Sequence, residues 1–234
     1  TVGPWREFLR KRYRTIEAYN AEHKSRFAGF EEIPCFTIRK KDDDVNAFIY
    51  EASRDLLRFY RQTLREVGVR AYLTNYDFVT SLLYNFVRRD CDYVGMHSYH
   101  DHPLNTSATG RGSYNRQTSS IAANAYFIRS LTQGRIFGKP VLSTEYDQPF
   151  WNRYRYERSF TMGAYAAFQD VDALTLWAEP VRRSSVTDAN PWRGGMMRPF
   201  RASADPLSDG SLLLTWCMFI RGDVAPAEHA VRVI

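Results

Sequence analysis

The stretch VLSTEYDQPF, residues 141–150, carries an apolar segment directly into an acid. Its first four residues, 141–144, suit a strand that is buried on both faces. Glu145 follows them at once, and three aromatic side chains stand close to it in the sequence: Tyr146, Phe150 and Trp151. The stretch therefore predicts a strand that ends in a carboxylate, where aromatic rings can stack on a ligand and exclude water.

The same pattern recurs along the chain. Strands are predicted over 70–75, 92–99, 138–145 and 172–180, and helices around 78–89, 117–133, 156–169 and 207–220. Alternating strands and helices predict a parallel sheet with right-handed crossovers. Polar or aromatic residues gather at the C-terminal ends of the predicted strands: Asn75, His97, Tyr99, Glu145, Trp177 and Glu179. In a (β/α)8 barrel that end of the sheet carries the active site.

The first 69 residues favour helices over strands. One helix is predicted from about Pro4 to Asn20 and another over 45–69, with a short apolar run of uncertain type at 33–38. Four strand–helix units are half of a closed barrel, which typically needs about 250 residues. We therefore expect an α/β fold of the TIM-barrel type, with strands five to eight present and the first half missing. The alternative is a smaller open α/β sheet that includes 33–38 and is complete in itself.

This interpretation also predicts the domain organisation. Residues 1–222 are expected to form a partial catalytic barrel, and 223–234 to begin a linker or a following β domain. The edges of half a barrel carry unpaired backbone groups that invite pairing with another chain. The expected protein partner is therefore the missing N-terminal half or a second copy of this chain.

Composition excludes several classes of protein. Of the 234 residues, 44% are hydrophobic and 25% are charged, which is ordinary for a globular domain. No apolar run approaches the roughly 18 residues that a membrane-spanning helix requires. The three cysteines, Cys35, Cys91 and Cys217, are widely spaced, which excludes a disulfide framework and a CxxC metal site. They leave the compartment open, with a secreted or periplasmic location favoured over a cytoplasmic one.

The net charge of +6 raises the question of nucleic-acid binding. Much of the positive charge lies in REFLRKRYR, residues 6–14, which predicts a solvated helix face. No zinc-finger spacing, Gly-Arg tract or helix-turn-helix signal accompanies it. We therefore expect no nucleic-acid partner and no membrane partner. The aromatic content of 15% suits sugar rings as well as it suits bases.

Five motifs, in order, resemble one known family. HSY (97–99), GKPVLSTEYDQPF (138–150) and LTLWAEP (174–180) resemble strands six, seven and eight of the retaining glycoside hydrolases of clan A. The likeness is greatest to a bacterial cellulase-like and β-galactosidase-like group. In that group RGDVAPA (221–227) has a counterpart after the barrel, and WREFLRKRYRTIEAYNA (5–21) resembles the helical segment after strand four. The resemblance spans nearly the whole chain.

The resemblance implies roles for particular residues. Glu145 matches the nucleophile, and His97 and Tyr99 match a pair whose tyrosine hydrogen-bonds that nucleophile. Trp177 matches the aromatic floor beneath the sugar. Retaining glycosidases need two carboxylates about 5–5.5 Å apart. The nucleophile must be ionised, and hydrogen-bond donors nearby favour the ionised form. Further candidates for contact with a carbohydrate substrate are Asn75, His100, Tyr146, Asp147, Trp151 and Glu179. No cofactor and no metal are expected.

One feature departs from the family pattern. The acid/base glutamate of this clan follows an asparagine at the end of strand four, and no Asn-Glu pair occurs in the 234 residues. The acid/base is therefore expected to lie outside this chain, which should not complete the reaction alone. The alternative is a carbohydrate-binding module or pseudo-enzyme that holds sugars without cleaving them.

Other interpretations of the same residues remain open. Glu145 could form a salt bridge with Arg153 or Arg155. The run HSYHDH (97–102) could bind a metal through its histidines and acid, or form a structural turn. Asp147 could contact substrate hydroxyls or cap a turn, and Trp177 could belong to the barrel core.

Overall fold

The computed structural model describes residues 2–37, 42–78, 80–105, 113–177, 200 and 205–231. The chain divides into two compact units, Thr1–Ala71 and Tyr72–Ile234. Within the described ranges, none of the helices combines the length and the apolar character needed to cross a membrane. The predicted domain boundary at 222/223 stays a prediction.

Unit 1 is helical in its described part. Its elements are α1 (Val2–Tyr13), α2 (Ile16–His23), a 3-10 turn (Phe30–Glu32) and α3 (Asp43–Glu66). The single helix predicted over 4–20 is therefore two helices. Arg14 has a φ of 66°, which no α-helix accommodates, and the Thr15 side chain caps α2 by accepting from the Ala18 N–H at 3.2 Å. Residues 33–37 form no strand.

The core of unit 1 is largely aromatic. It consists of Trp5, Phe8, Leu9, Tyr19, Phe30, Ile33 and Val45. The indole N–H of Trp5 donates to the Pro34 carbonyl at 3.2 Å, so its polar atom stays satisfied. α3 begins where the Asp42 carboxylate accepts from the Val45 N–H at 2.8 Å. Burial of aromatic rings between the helices holds this unit together.

Unit 2 is a mixed α/β structure around a three-stranded parallel sheet. The strands are β1 (Val94–Tyr99), β4 (Val141–Asp147) and β5 (Ala173–Leu176), in the order β1-β4-β5. β2 (Leu104–Asn105) and β3 (Ser113–Tyr114) form a separate antiparallel pair. The helices are α4 (Leu82–Arg88), α5 (Tyr126–Thr132), α6 (Glu157–Phe168) and α7 (Pro206–Thr215), which continues into a π-helical turn over Trp216–Ile220.

The core of unit 2 lies between the sheet and its helices. Buried residues from β1 and β4 pack against α5 and α6: Val94, Met96, Phe127, Ile128, Leu131, Val141, Tyr146, Met162, Ala166 and Val171. α7 packs closely on α6, since a Cβ added to Gly163 would lie 2.8 Å from the Cα of Thr215. α5 and α6 therefore pack on one face of the sheet, and the opposite face carries other side chains of β1 and β4.

The strand predicted over 70–75 is wrong for the described residues, because only part of its expected backbone pairing forms. The Asp92 N–H donates to the Leu73 carbonyl at 2.9 Å, but the Leu73 N–H donates to the Asp92 side chain. Thr74 contacts β1 through its hydroxyl, which accepts from the Gly95 N–H at 3.2 Å. The segment therefore lies beside β1 without joining the sheet. The described sheet has three strands rather than four, and the eight-stranded barrel remains a prediction.

One predicted helix of unit 2 is shortened in the structure, and two others begin close to their predicted starts. The helix predicted over 117–133 is shortened to α5, because Asn124 and Ala125 both have positive φ. α7 begins close to its predicted start, with Asp205 as its N-cap and Pro206 in its first turn. α6 agrees with the prediction over 156–169 to within one residue at each end.

Candidate functional site

The structure brings Tyr99 and Glu145 together at the ends of two neighbouring strands. His97 of β1 is the register partner of Glu145 in β4, and the register shifts between Met96 and His97, so that Thr144 of β4 has no register partner in β1. Alternate residues of a strand share a face, so His97, Tyr99 and Glu145 fall on one side of the sheet. The Tyr99 hydroxyl donates a hydrogen bond to Oε2 of Glu145.

This hydrogen bond has a clear electrostatic basis. Burial raises the pKa of Tyr99 well above its usual range, and the hydrogen bond and charge of Glu145 raise it further. The phenol therefore keeps its proton at any physiological pH and remains a donor. A donor aimed at a carboxylate favours the ionised form, which is the form that a nucleophile needs.

His97 lies against a carboxylate that the sequence analysis missed. Its Nδ1 is 2.9 Å from Oδ2 of Asp77, and the Thr144 hydroxyl donates to that same oxygen at 2.6 Å. The Phe78 ring stacks on the imidazole, with centroids 4.8 Å apart and planes 12° from parallel. The signal was present in the sequence, because Asp77 closes the run LTNYD (73–77) after the predicted strand.

Aromatic rings surround the outer side of Tyr99. Its ring centroid lies 5.6 Å from that of His102 and 5.4 Å from that of Phe200, and these two rings are 5.3 Å apart. Such edge and tilted contacts stabilise ring clusters by roughly 0.5–1.5 kcal/mol per pair. The cluster therefore packs two rings against the tyrosine that donates to Glu145.

The described residues show no group of histidine, cysteine and acidic side chains that could hold a metal ion. Asp101, considered as a ligand, instead clamps the loop that follows β3. Its carboxylate accepts from the backbone N–H groups of Arg116 at 2.6 Å and Gln117 at 3.0 Å, and from the side-chain amide of Asn152 at 2.6 Å. Within the described structure this acid therefore has a structural use.

Two of the predicted substrate contacts take part in local structure. Nε2 of His100 lies 3.1 Å from both the carbonyl and the hydroxyl oxygen of Thr118. The side-chain oxygen of Asn75 accepts from the Tyr76 N–H at 2.7 Å. Both side chains stay half-buried at the same end of the sheet as Glu145.

Tyr146 and Asp147 are interior residues, which corrects the expectation that they face a substrate. Tyr146 is 2% exposed and belongs to the core, because it alternates with Glu145 and points to the opposite face. Asp147 is as deeply buried and pairs with the guanidinium of Arg158, which is itself buried. A charge at that depth persists only when it is paired.

The predicted tryptophans are exposed. Trp151 and Trp177 each have a relative exposure of 48%. The backbone N–H of Trp177 donates to the backbone carbonyl of Tyr146 at 3.0 Å, which fixes Trp177 beside the end of β4. Trp151 packs its ring on Phe150, with centroids 4.7 Å apart. Glu179 lies outside the described residues.

Glu145 forms no ion pair within the described part of the chain. Arg155, one of its two considered partners, pairs with Asp205 instead, through a contact of 2.7 Å from Nη2 to Oδ1 and a second contact from Nε. The guanidinium of Arg153 lies over the Tyr154 ring, 5.9 Å from its centroid. The salt-bridge interpretation of Glu145 is therefore not the arrangement seen.

Comparisons with known proteins yield little. No family model matches the chain, and no curated protein sequence matches it. A solved structure that matches is described as a polyextremophilic beta-galactosidase from the Antarctic haloarchaeon Halorubrum lacusprofundi, with 15% identity and a TM-score of 0.47. The match covers 89% of this chain and 34% of that one, so the chain spans about a third of it. Similarity at this level identifies neither a fold nor an activity.

Proposed function

We propose that unit 2 carries the nucleophile side of a retaining β-glycosidase site, with Glu145 as the nucleophile. The observation that supports the proposal is the hydrogen bond from Tyr99 to Oε2 of Glu145, made between neighbouring parallel strands at their C-terminal ends. The motifs that resemble clan A glycoside hydrolases lie at these same positions. The proposed substrate is a poly- or oligosaccharide with a β-linkage.

The chemistry follows from this arrangement. Tyr99 holds Oε2, so the other oxygen of Glu145 attacks the anomeric carbon and displaces the leaving oxygen, which takes a proton from a second carboxylic acid. The resulting glycosyl ester is then hydrolysed by a water that the same second carboxylate deprotonates. This second carboxylate is proposed to lie outside the chain, since the family's Asn-Glu pair is absent from the sequence.

The proposed fold is a part of a (β/α)8 barrel. β1, β4 and β5 would be strands six, seven and eight, and 72–76 would occupy the place of strand five beside β1. The sheet order follows the chain order, as it does in a barrel. The proposed partner is the remaining half or a second copy of this chain, and a secreted or periplasmic location is favoured.

Substrate contacts are proposed for residues that the structure leaves accessible. Trp177 is exposed beside β4 and would lie beneath a sugar ring, and Trp151 offers a second stacking face. His97, His100 and Asn75 would contact hydroxyl groups. Exposed aromatic rings next to a carboxylate suit sugars, whose axial C–H groups form apolar faces.

A mechanism-based probe tests the proposal without requiring the acid/base. 2,4-Dinitrophenyl 2-deoxy-2-fluoro-β-glycosides carry a leaving group that departs unprotonated, so labelling of the nucleophile does not depend on the acid/base. We expect one of the β-galactoside, β-glucoside and β-cellobioside probes to add a single fluorosugar to the peptide that contains Glu145, as read by mass spectrometry. Labelling at another carboxylate, or at none, contradicts the proposal.

Two variants and a control sharpen this test. Glu145→Gln should abolish labelling. Tyr99→Phe removes a hydrogen bond to a charged group, worth about 1.5–3 kcal/mol, and should slow labelling by about ten- to a hundredfold. Glu22→Gln, at an exposed position on α2, should label at the rate of the unmodified chain. An unchanged rate for Tyr99→Phe would contradict the role of this hydrogen bond.

A second candidate function is carbohydrate binding without cleavage. The specific observation in its favour is that the sequence holds no Asn-Glu pair, whereas two exposed tryptophans are present. This alternative predicts that the fluorosugars bind reversibly, as measured by calorimetry, and form no covalent adduct.

A further inference from the structure

Asp77 contacts both strands that carry the candidate site. Its Oδ2 accepts from the hydroxyl of Thr144, which directly precedes Glu145 in β4. The same oxygen lies 2.9 Å from Nδ1 of His97, the register partner of Glu145 in β1. Asp77 belongs to neither strand, so its contact with His97 arises only in the folded chain.

The backbone around Asp77 is held in an unusual conformation. Tyr76 and Phe78, on either side of it, have φ values of 62° and 70°. A bulky residue in this left-handed region costs about 1–3 kcal/mol and persists only where surrounding contacts impose it. Such contacts are present: buried Arg88 donates to the Tyr76 carbonyl, and the Phe78 ring stacks on His97. The segment therefore presents Asp77 at a defined position, and strain of this kind gathers at functional sites.

The contact between Asp77 and His97 constrains the imidazole. A carboxylate accepts hydrogen bonds, so the ring nitrogen that faces it is stabilised when it carries the proton. Among the described residues Nδ1 of His97 has no hydrogen-bond partner that meets the usual geometry, although Oδ2 of Asp77 lies 2.9 Å from it. Contacts of this kind often tighten when a ligand binds.

We propose that Asp77 is a positioning residue of the site, which holds His97 in the tautomer protonated on Nδ1 and leaves Nε2 as a hydrogen-bond acceptor for a sugar hydroxyl. This inference rests on the proposed function for its ligand, but its structural part is independent of any activity. A carboxylate that orients a histidine in this way fixes both the tautomer and the ring direction. The rival interpretation is that Asp77 only fastens the segment 72–78 to the sheet through Thr144.

Nuclear magnetic resonance reads the tautomer directly. The chain, labelled with 15N in its five histidines, is examined by long-range 1H–15N correlation at pH 8, and a His97→Gln variant assigns the His97 signals. We expect the Nδ1-protonated tautomer in the unmodified chain. Protonation on Nε2 in the unmodified chain overturns the inference, and this measurement requires no variant of Asp77 to fold.

Variants separate positioning from fastening. Asp77→Ala should shift His97 toward the Nε2-protonated tautomer. Thr144→Val removes the second contact of Asp77 while keeping its charge beside His97, and should leave the tautomer unchanged. If Asp77→Ala leaves the His97 tautomer unchanged, the inference is wrong.

The labelling rate supplies a second readout. A displaced catalytic-site group commonly costs about a hundredfold in rate, so Asp77→Ala should slow fluorosugar labelling of Glu145 by about ten- to a hundredfold. Asp43→Ala, at an exposed position on α3, should not slow it. Equal labelling rates at Glu145 in the unmodified chain and in Asp77→Ala overturn the inference while the proposed function stands. If no probe labels the unmodified chain, the proposed function fails and the tautomer alone decides the role of Asp77.

Discussion

Asp205 and Glu145 show two different environments for a carboxylate in the same unit. Asp205 is 3% exposed and accepts hydrogen bonds from Arg155, from the Ser208 hydroxyl and from the Leu207 N–H. Glu145 is half-buried, and within the described structure its carboxylate accepts from Tyr99 alone. A carboxylate that accepts several hydrogen bonds stabilises the fold, whereas a carboxylate with one oxygen that accepts no hydrogen bond can bind a ligand.

The environment of Asp205 predicts a pH dependence of stability. Burial acts to raise the pKa of Asp205, but the hydrogen bonds from Arg155 and Ser208 and the charge of Arg155 outweigh it and lower the pKa to about 2. A lowered pKa means that the folded state favours the ionised form. The stabilisation is therefore full above about pH 4 and is lost as the pH falls toward 2, by about 2 kcal/mol in total.

Urea unfolding between pH 7 and pH 2.5 measures this contribution. The free energy of unfolding of Asp205→Asn should lack it, so the acid-induced loss should be smaller by about 2 kcal/mol than in the unmodified chain. Asp43→Asn, at an exposed position, should reproduce the unmodified profile. Parallel pH profiles for Asp205→Asn and the unmodified chain would contradict this account.

At the level of elements, local sequence patterns located most strands and helices. The strands over 94–99, 141–147 and 173–176 overlap the apolar runs that predicted them. The pattern failed at 70–75, where side chains of Thr74 and Asp92 replace part of the backbone pairing. It also failed at Arg14, whose positive φ splits one amphipathic stretch into two helices. The spacing of apolar residues indicates which side chains are buried, but it does not indicate the backbone conformation of a single residue that links two helices.

The contact between α6 and α7 gives a prediction with an internal control. Gly163→Ala would place a Cβ 2.8 Å from the Cα of Thr215, and a backbone atom cannot move aside as a flexible side chain can. The free energy of unfolding should fall by about 1–3 kcal/mol. Gly210→Ala, at an exposed position of α7, meets no atom within 4 Å and should instead raise the free energy of unfolding by about 0.5–1 kcal/mol, since alanine favours a helix. Thermal and urea unfolding of both variants check the opposite signs.

At the level of the whole molecule, the feature that needs an explanation in the proposed half barrel is the edge of its sheet at β5. In the described structure β5 pairs with β4 on one side, and no described strand pairs with its other side. Unpaired N–H and C=O groups along a strand favour association with another chain. We therefore expect the chain to self-associate as its concentration rises.

Sedimentation velocity over a hundredfold range of concentration tests this expectation. Thr175→Lys places a charge at an exposed position of β5 and should weaken association, because lysine on an edge opposes strand pairing. Thr63→Lys adds the same charge at an exposed position of α3 and should leave association unchanged. A chain that stays monomeric throughout would contradict the half-barrel proposal.

Local sequence was sufficient to locate three apolar strands and to put Glu145 near the C-terminal end of one of them, two residues before β4 ends at Asp147, because strand formation depends largely on neighbouring residues. It also suggested Tyr99 and His97, through the motif they share. The contact of Asp77 with Thr144 joins residues 67 positions apart, and the burial of Tyr146 and Asp147 depends on α6. These features required the folded chain, because a side chain's partner is set by which distant segments pack together and not by the residues beside it.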